Sequence, residues 1–190
     1  AVDASDVIKD LLTLSRRERY DMRPVDLNEV VLSCLDSSHC RNLASRKPGV
    51  MLTTDLCESV APMNGSFSHL QKMVLNLINY AYDTAGSDGE ISVSTRLNRH
   101  DTLRSGYDKI DPGEYVVLSV RDNGRGIPRD DLDKIFEPYH SRAVAGHEGS
   151  GLGLPVVYGV VKDHGGYYDV FSEPGKGSEF VLYFKVIASP

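Results

Sequence analysis

The sequence predicts an α/β fold with a phosphate-binding edge, and three observations predict it. Strand-like and helix-like apolar patterns alternate along the 190 residues. A glycine cluster, Asp122-Asn123-Gly124-Arg125-Gly126-Ile127, begins where the strongest strand pattern stops. A second cluster, Gly149-Ser150-Gly151-Leu152-Gly153-Leu154, opens an apolar helical segment, Pro155 to His164. Glycines let backbone N–H groups close on an anion and tolerate positive φ. A helix N-terminus adds partial positive charge there, and Pro155 suits a first helical turn because its missing N–H is not needed. The two clusters together read as a phosphate cradle beside a second, acid-bearing pocket.

The elements follow in order. Residues 4–16 carry Val7, Ile8, Leu11, Leu12 and Leu14 at helical spacing, and Arg16 to Arg19 with Pro24 then mark a linker. Asp26-Leu27-Asn28-Glu29 has the form of a capping box and predicts a helix running to about Arg46. Pro48-Gly49 punctuates, and Val50 to Leu56 reads as a strand. Ser66 is expected to cap a helix with Leu70, Met73, Val74, Leu77, Ile78 and Ala81 on one face, ending near Gly86. Asp88-Gly89 turns the chain into a strand, Glu90 to Leu97. Residues 98–113 read as a polar loop, and Glu114 to Arg121 as a second strong strand. Between the glycine clusters only Asp130 to Phe136 looks helical. Strands Tyr167 to Ser172 and Glu179 to Val186 close the chain, joined by Pro174-Gly175-Lys176-Gly177.

Composition excludes several classes. The net charge of -6 argues against a general nucleic-acid or acidic-membrane binder. No apolar run is long enough to span a bilayer. The opening residues, Ala1 to Asp6, do not form a signal peptide, and the chain reads as a piece of something longer. Cys34, Cys40 and Cys57 form no CxxC pair and read as structural free thiols of a reducing compartment. Neither a Walker loop nor a GxGxxG fingerprint after the first strand occurs, so nucleotide binding has to use another fold. His39 and His69 fall on predicted helices without a partner at metal spacing and are expected at the surface. His164 precedes Gly165-Gly166 and reads as a helix C-terminal residue favoured by the dipole.

Five segments in fixed order carry a family resemblance. Leu70 to Ala85 (LQKMVLNLINYAYDTA) resembles an N box. Asp122 to Ile127 resembles a first glycine box, Ile135-Phe136-Glu137-Pro138-Tyr139 an F box, and Gly149 to Leu154 a second glycine box. Gly175 to Phe180 matches the small-residue motif before the last strand. These resemble the catalytic, ATP-binding domain of a bacterial sensor histidine kinase, of the gyrase, histidine kinase and MutL type. The likeness covers Pro24 to Pro190, and Asp10 to Arg16 resembles the end of the dimerisation and phosphoacceptor helix. The resemblance implies a two-layer α/β sandwich (Bergerat-type), with a mixed sheet covered on one face by three helices. It implies residues 1–23 as helix end and linker and 24–190 as the catalytic domain.

The resemblance also implies roles. Asp122 accepts a hydrogen bond from the adenine amino group, and Gly124, Gly126 and Ile127 close on the purine. Asn76 faces the triphosphate from the N-box helix, which also carries Tyr80 and Asp83. Gly149, Ser150, Gly151 and Gly153 wrap the phosphates, with Leu152 and Leu154 anchoring the loop. Residues 139–150 form a lid. Within it Arg142 either meets the γ-phosphate or is a solvated charge, and His140 and His147 are weaker phosphate candidates. None of the six histidines heads the phosphoacceptor motif, so the acceptor is expected upstream of Ala1. ATP and Mg²⁺ are the implied ligands. The implied partners are the protein's own dimerisation domain, within a homodimeric parent, and the receiver domain of a response regulator, with no nucleic acid. A cytoplasmic location is implied, with the parent's membrane anchorage left open.

One departure stands out. The family usually has an Mg²⁺-ligating Asn four residues after the first, and Tyr80 holds that position. A neutral phenol is a poor Mg²⁺ ligand, and Asn79 lies about 100° around the helix. Two readings follow: a histidine kinase domain that transfers the γ-phosphate of ATP, or a degenerate module that holds nucleotide weakly and works through partner contact. The glycine boxes and Asp122 favour the first, and Tyr80 the second.

Overall fold

In the computed structural model, which describes residues 20–105, 108–138 and 151–187, the alternation of patterns resolves into one five-stranded sheet backed by helices. The elements are β1 (Arg23–Val25), α1 (Leu27–Leu35), α2 (Ser38–Arg46), β2 (Met51–Leu56), β3 (Met63–Gly65), α3 (Phe67–Thr84), β4 (Glu90–His100), β5 (Arg104–Ser105), β6 (Lys109–Ile110), β7 (Gly113–Asp122), α4 (Arg129–Leu132), α5 (Gly153–Asp163), β8 (Tyr167–Glu173) and β9 (Gly177–Lys185). The sheet runs β2-β4-β7-β9-β8. Only the β2–β4 pair is parallel, so the sheet is mixed as expected.

The main core lies between this sheet and helices α1, α3 and α5. Leu70, Met73, Val74, Leu77, Ile78 and Ala81 of α3 are all buried in it, at the helical spacing seen in the sequence. Val156, Val157, Val160 and Val161 of α5 meet them, together with Leu27, Val30 and Val31 of α1. The sheet contributes Ile91, Val93, Val116, Leu118, Phe180, Leu182 and Phe184. No described helix is long and apolar enough to cross a membrane.

Several boundaries differ from the sequence expectation. The helix expected from Asp26 to Arg46 is two helices. The Ser37 side chain accepts from the Cys40 N–H and donates to the Cys34 carbonyl, which stops α1 and starts α2. Asp26 does cap α1, accepting from Asn28 N–H at 2.7 Å. Ser66 sits at the N-cap of α3 but makes no capping bond, because its hydroxyl is turned to His69 Nδ1 at 2.8 Å. Arg23–Val25, at the end of the expected linker, form β1, which pairs with β3 as a small ribbon. The helix expected over Asp130 to Phe136 is the single turn α4.

The loop expected over 98–113 holds the end of β4 and the hairpin β5–β6. It builds a second, smaller core on the sheet's other face: Ile110, Tyr115, Val117 and Tyr183, with Tyr167 and Val181 packed against them. Tyr115 donates to the Asp111 carbonyl and Tyr167 to the Asp111 carboxylate, both at 2.8 Å. An ion pair of Lys162 with Asp108 ties the hairpin to α5. The three cysteines are free, as expected, and burial pushes the Cys34 thiol up to about 12. The helix expected over residues 4–16 lies outside the described residues.

Candidate functional site

The site forms where β7 ends against the C-terminal turn of α3. Asp122, the last residue of β7, is 2 % exposed, so a carboxylate is held inside an apolar layer. Its Oδ1 accepts the Gly124 N–H at 2.8 Å, which closes the first turn of the glycine cluster. The Thr84 hydroxyl and the Ser178 backbone N–H also reach the carboxylate. Burial pushes the Asp122 carboxyl above the ordinary carboxylate range, while these hydrogen bonds and the Arg125 charge pull it back down.

Two glycines set the floor. Gly126 has φ +69°, and a Cβ there would lie 2.1 Å from the Glu173 carbonyl. Gly177 has φ +101°, and a Cβ there would lie 1.9 Å from the Asp122 carbonyl. Both positions need glycine for conformation and for space. Between them Ile127 is fully buried, and its N–H donates to Ser172 Oγ at 2.7 Å. Asn123 anchors the cluster to the start of β4, accepting from the Glu90 N–H at 2.7 Å.

The described part of the second cluster, Gly151 to Leu154, leads into α5 and lies beside Asn76 of α3. Leu152 and Leu154 are buried at the start of α5. Gly153 begins α5 and faces Asn76 of α3, with a built Cβ 3.8 Å from that side chain. Asn76 is 7 % exposed, and its Nδ2 has no hydrogen-bond partner among the described residues. A buried amide donor without a partner carries a desolvation penalty unless a ligand meets it. Asp83 is half-buried on the last turns of α3. Gly151 is buried just ahead of α5, whereas Arg142, Gly149, Ser150, His140, His147 and the expected lid 139–150 lie outside the described residues.

Tyr80, at the family's usual Mg²⁺-ligand position, is half-buried against the main core, its ring edge-to-face on Phe180 at 5.2 Å. Its hydroxyl reaches Ser178. Burial pushes it up to about 12, so it stays a neutral phenol and does not fit as a metal ligand. Asn79 points elsewhere, with Oδ1 2.6 Å from His39 Nε2. No group of three or more His, Cys, Asp or Glu among the described residues could hold a metal.

Two histidines also depart from expectation. His69, expected at the surface, is buried under the ring of Tyr20, 4.0 Å away. His164 does end α5, but burial lowers its pKa and its Nε2 accepts the Ser66 N–H at 3.0 Å. It is therefore a neutral link between helices rather than a dipole-favoured cation.

The family model for the histidine kinase-, DNA gyrase B- and HSP90-like ATPases matches residues 65–187. The chain belongs to that family. Within it, the chain is similar to sensor histidine kinases. It is 33% identical over 183 residues to the sensor kinase CckA of Brucella abortus, covering 95% of this chain and 19% of CckA. It is 32% identical over 183 residues to the sensor histidine kinase ZraS of Escherichia coli, covering 95% of this chain and 34% of ZraS. The chain thus spans about a fifth to a third of these relatives. The mycobacterial sensor histidine kinase MprB matches 87% of this chain and 100% of its own at TM-score 0.65 and 25% identity. Full-length ShkA, solved in complex with AMPPNP, matches 97% of this chain and 36% of its own at TM-score 0.72 and 22% identity, which shows the shared fold.

Thr84 and Ser178 were not assigned site roles by the sequence, although both fall inside quoted motifs. Only the pairing of β7 with β9 and the end of α3 bring them to Asp122.

Proposed function

We propose that the cleft between α3, α5 and the β7–β9 floor binds ATP as a substrate for phosphoryl transfer to a histidine. The observation that carries this reading is the buried Asp122 carboxylate on one side, with the Asn76 amide, met by no described residue, beside the N-terminus of α5 on the other. Asp122 accepts from the adenine amino group, a contact that guanine, with a carbonyl there, does not offer. Gly124, Gly126 and Ile127 lie along the purine. Asn76 and the α5 N-terminus take the phosphates, where partial positive charge stabilises an anion. Gly149, Ser150 and Gly151 wrap the triphosphate, Arg142 approaches its γ end, and Asp83 lines the helix side.

In the transfer, an imidazole nitrogen of the dimerisation domain bonds to the γ-phosphorus, the bond to the β-bridging oxygen breaks, and ADP leaves. The domain's part is positioning and charge neutralisation. The phosphohistidine then supplies an aspartate of a receiver domain. Residues 1–23 connect to the dimerisation helix and 24–190 form the catalytic domain of a homodimeric, cytoplasm-facing parent. The relatives' printed names support the kinase assignment, and the ShkA complex with AMPPNP supports an adenine nucleotide. Mg²⁺ is the family's usual companion of ATP. Tyr80 supplies no ligand oxygen for it.

Titration with ATP and GTP of the parent chain and of Asp122→Asn tests the reading. Asn keeps one oxygen for the Gly124 N–H, and thermal unfolding of the variant checks that it folds before affinities are compared. ATP affinity should fall by about 1–3 kcal/mol, the scale of a hydrogen bond to a charged group. Preference over GTP should shrink with it. Equal ATP affinity in both proteins removes Asp122 from the base subsite.

A further inference from the structure

Tyr80 precedes Thr84 by one turn of α3, on the side of the helix that faces the floor of the cleft. Its ring packs against Phe180 with 80° between the planes, and its hydroxyl ends at Ser178. Ser178 is the residue paired with Asp122 across β7 and β9. The side chain thus crosses from the helical wall to the sheet floor and finishes beside the carboxylate assigned to the base. A purine whose amino group meets Asp122 needs a flat, apolar slot between these same walls. A phenol has the thickness and the apolar faces for that slot, with one polar tip for its floor.

We infer that Tyr80 fills the base subsite in place of a purine and has to turn out of it before nucleotide pairs with Asp122. The inference rests on the nucleotide reading of the cleft. Tyr80 is then a residue that sets nucleotide affinity and acts on the base, not on the phosphates or the metal. Turning out leaves the Phe180 face and the Ser178 hydroxyl for the incoming base. The contacts given up by the phenol are of the kind the base takes over. The neutral state of the phenol, held up by burial, suits this exchange, since a hydrogen bond between neutral groups is readily remade with water. The apparent affinity of a site that is open only a fraction of the time is reduced by that fraction. Removing the phenol therefore tightens binding without adding any contact to the ligand.

The test is calorimetric titration with adenosine and with ATP, both in EDTA, of the parent, Tyr80→Phe and Tyr80→Ala. Tyr80→Ala should bind both ligands about tenfold more tightly, the equilibrium weight of one net hydrogen bond. Tyr80→Phe keeps the ring and loses only the hydroxyl near Ser178, and should bind both a few-fold more tightly. Equal gains for adenosine and ATP assign the effect to the base. Should Tyr80→Ala fail to fold, Tyr80→Phe and the proton spectrum of the parent decide. The Tyr80 ring signals, shifted by Phe180, should move to solvent values on saturation with ATP. A parent that binds ATP with unmoved Tyr80 signals, or variants that match the parent's affinity for adenosine, overturn the inference alone. If parent and variants bind neither ligand, the nucleotide reading falls and takes this one with it.

Discussion

The Ser66 backbone N–H donates to His164 Nε2 at 3.0 Å and joins the start of α3 to the end of α5. His164 Nδ1 lies 2.7 Å from the Val160 carbonyl and must carry the proton to donate to it. Both ring nitrogens are thus used by the neutral form. Protonation of Nε2 puts two donors face to face.

The pH dependence of stability follows from that pair. Burial, then the nearby His69, lowers the His164 pKa, while the Val160 carbonyl and Asp163 oppose the shift. A histidine with a lowered folded pKa is held neutral by the fold. The unfolded chain takes up the proton first as pH falls. This contribution is fully present above the unfolded value of about 6.5. It is lost as pH falls from there through the lower folded pKa. Urea unfolding between pH 7.5 and 5 should show a stability decrease that shrinks in His164→Gln. An identical pH slope in both proteins excludes His164 as its source.

Tyr80→Asn should destabilise the chain by about 1–3 kcal/mol, since it removes an aromatic ring packed on Phe180. A solvent-exposed tyrosine on a helix would cost only a few tenths. Thermal unfolding decides between the two values.

Mg²⁺ should tighten ATP binding little in the parent, because the residue at the family's ligand position is a buried phenol. Titration with and without the metal checks this. A strong Mg²⁺ effect that survives Tyr80→Asn would assign the metal to other residues.

Asn76→Leu should stabilise the nucleotide-free chain slightly, by up to about 1 kcal/mol, by deleting a buried donor that no described residue meets. The same change should weaken ATP at least tenfold. A stability loss together with unchanged ATP affinity contradicts the role given to Asn76.

Ile110→Ala should lower stability by about 2–4 kcal/mol, the range for truncating a fully buried aliphatic side chain. Unchanged stability would show that the hairpin is dispensable to the second core.

The sequence made the main layers legible because strand and helix periods are local. The α3 face from Leu70 to Ala81 and the strand ending at Asp122 both follow from spacing alone. The break at Ser37 was written in the chain as well, but a serine inside a helical pattern reads equally as a surface residue. Ile110 gave no signal, since one apolar residue amid Asp108, Lys109 and Asp111 has no period to reveal it. The inward turn of Tyr80 was illegible for another reason. Its partners, Ser178 and Phe180, stand about a hundred residues away and meet it only when β9 pairs with β7. Asp122 could be singled out by its place ahead of the glycines, whereas Thr84 needed the end of α3 to reach it.

The floor beneath Asp122 is made of main chain, with Gly126 and Gly177 each pressed against a carbonyl where no methyl fits. Its dimensions therefore belong to the fold and cannot be trimmed or widened by exchanging side chains there. Any retuning of the cleft has to come from the walls, residue by residue along α3. In such a chamber a single exchange on a wall, such as an asparagine for a tyrosine, changes what the chamber admits while its floor keeps the same plan.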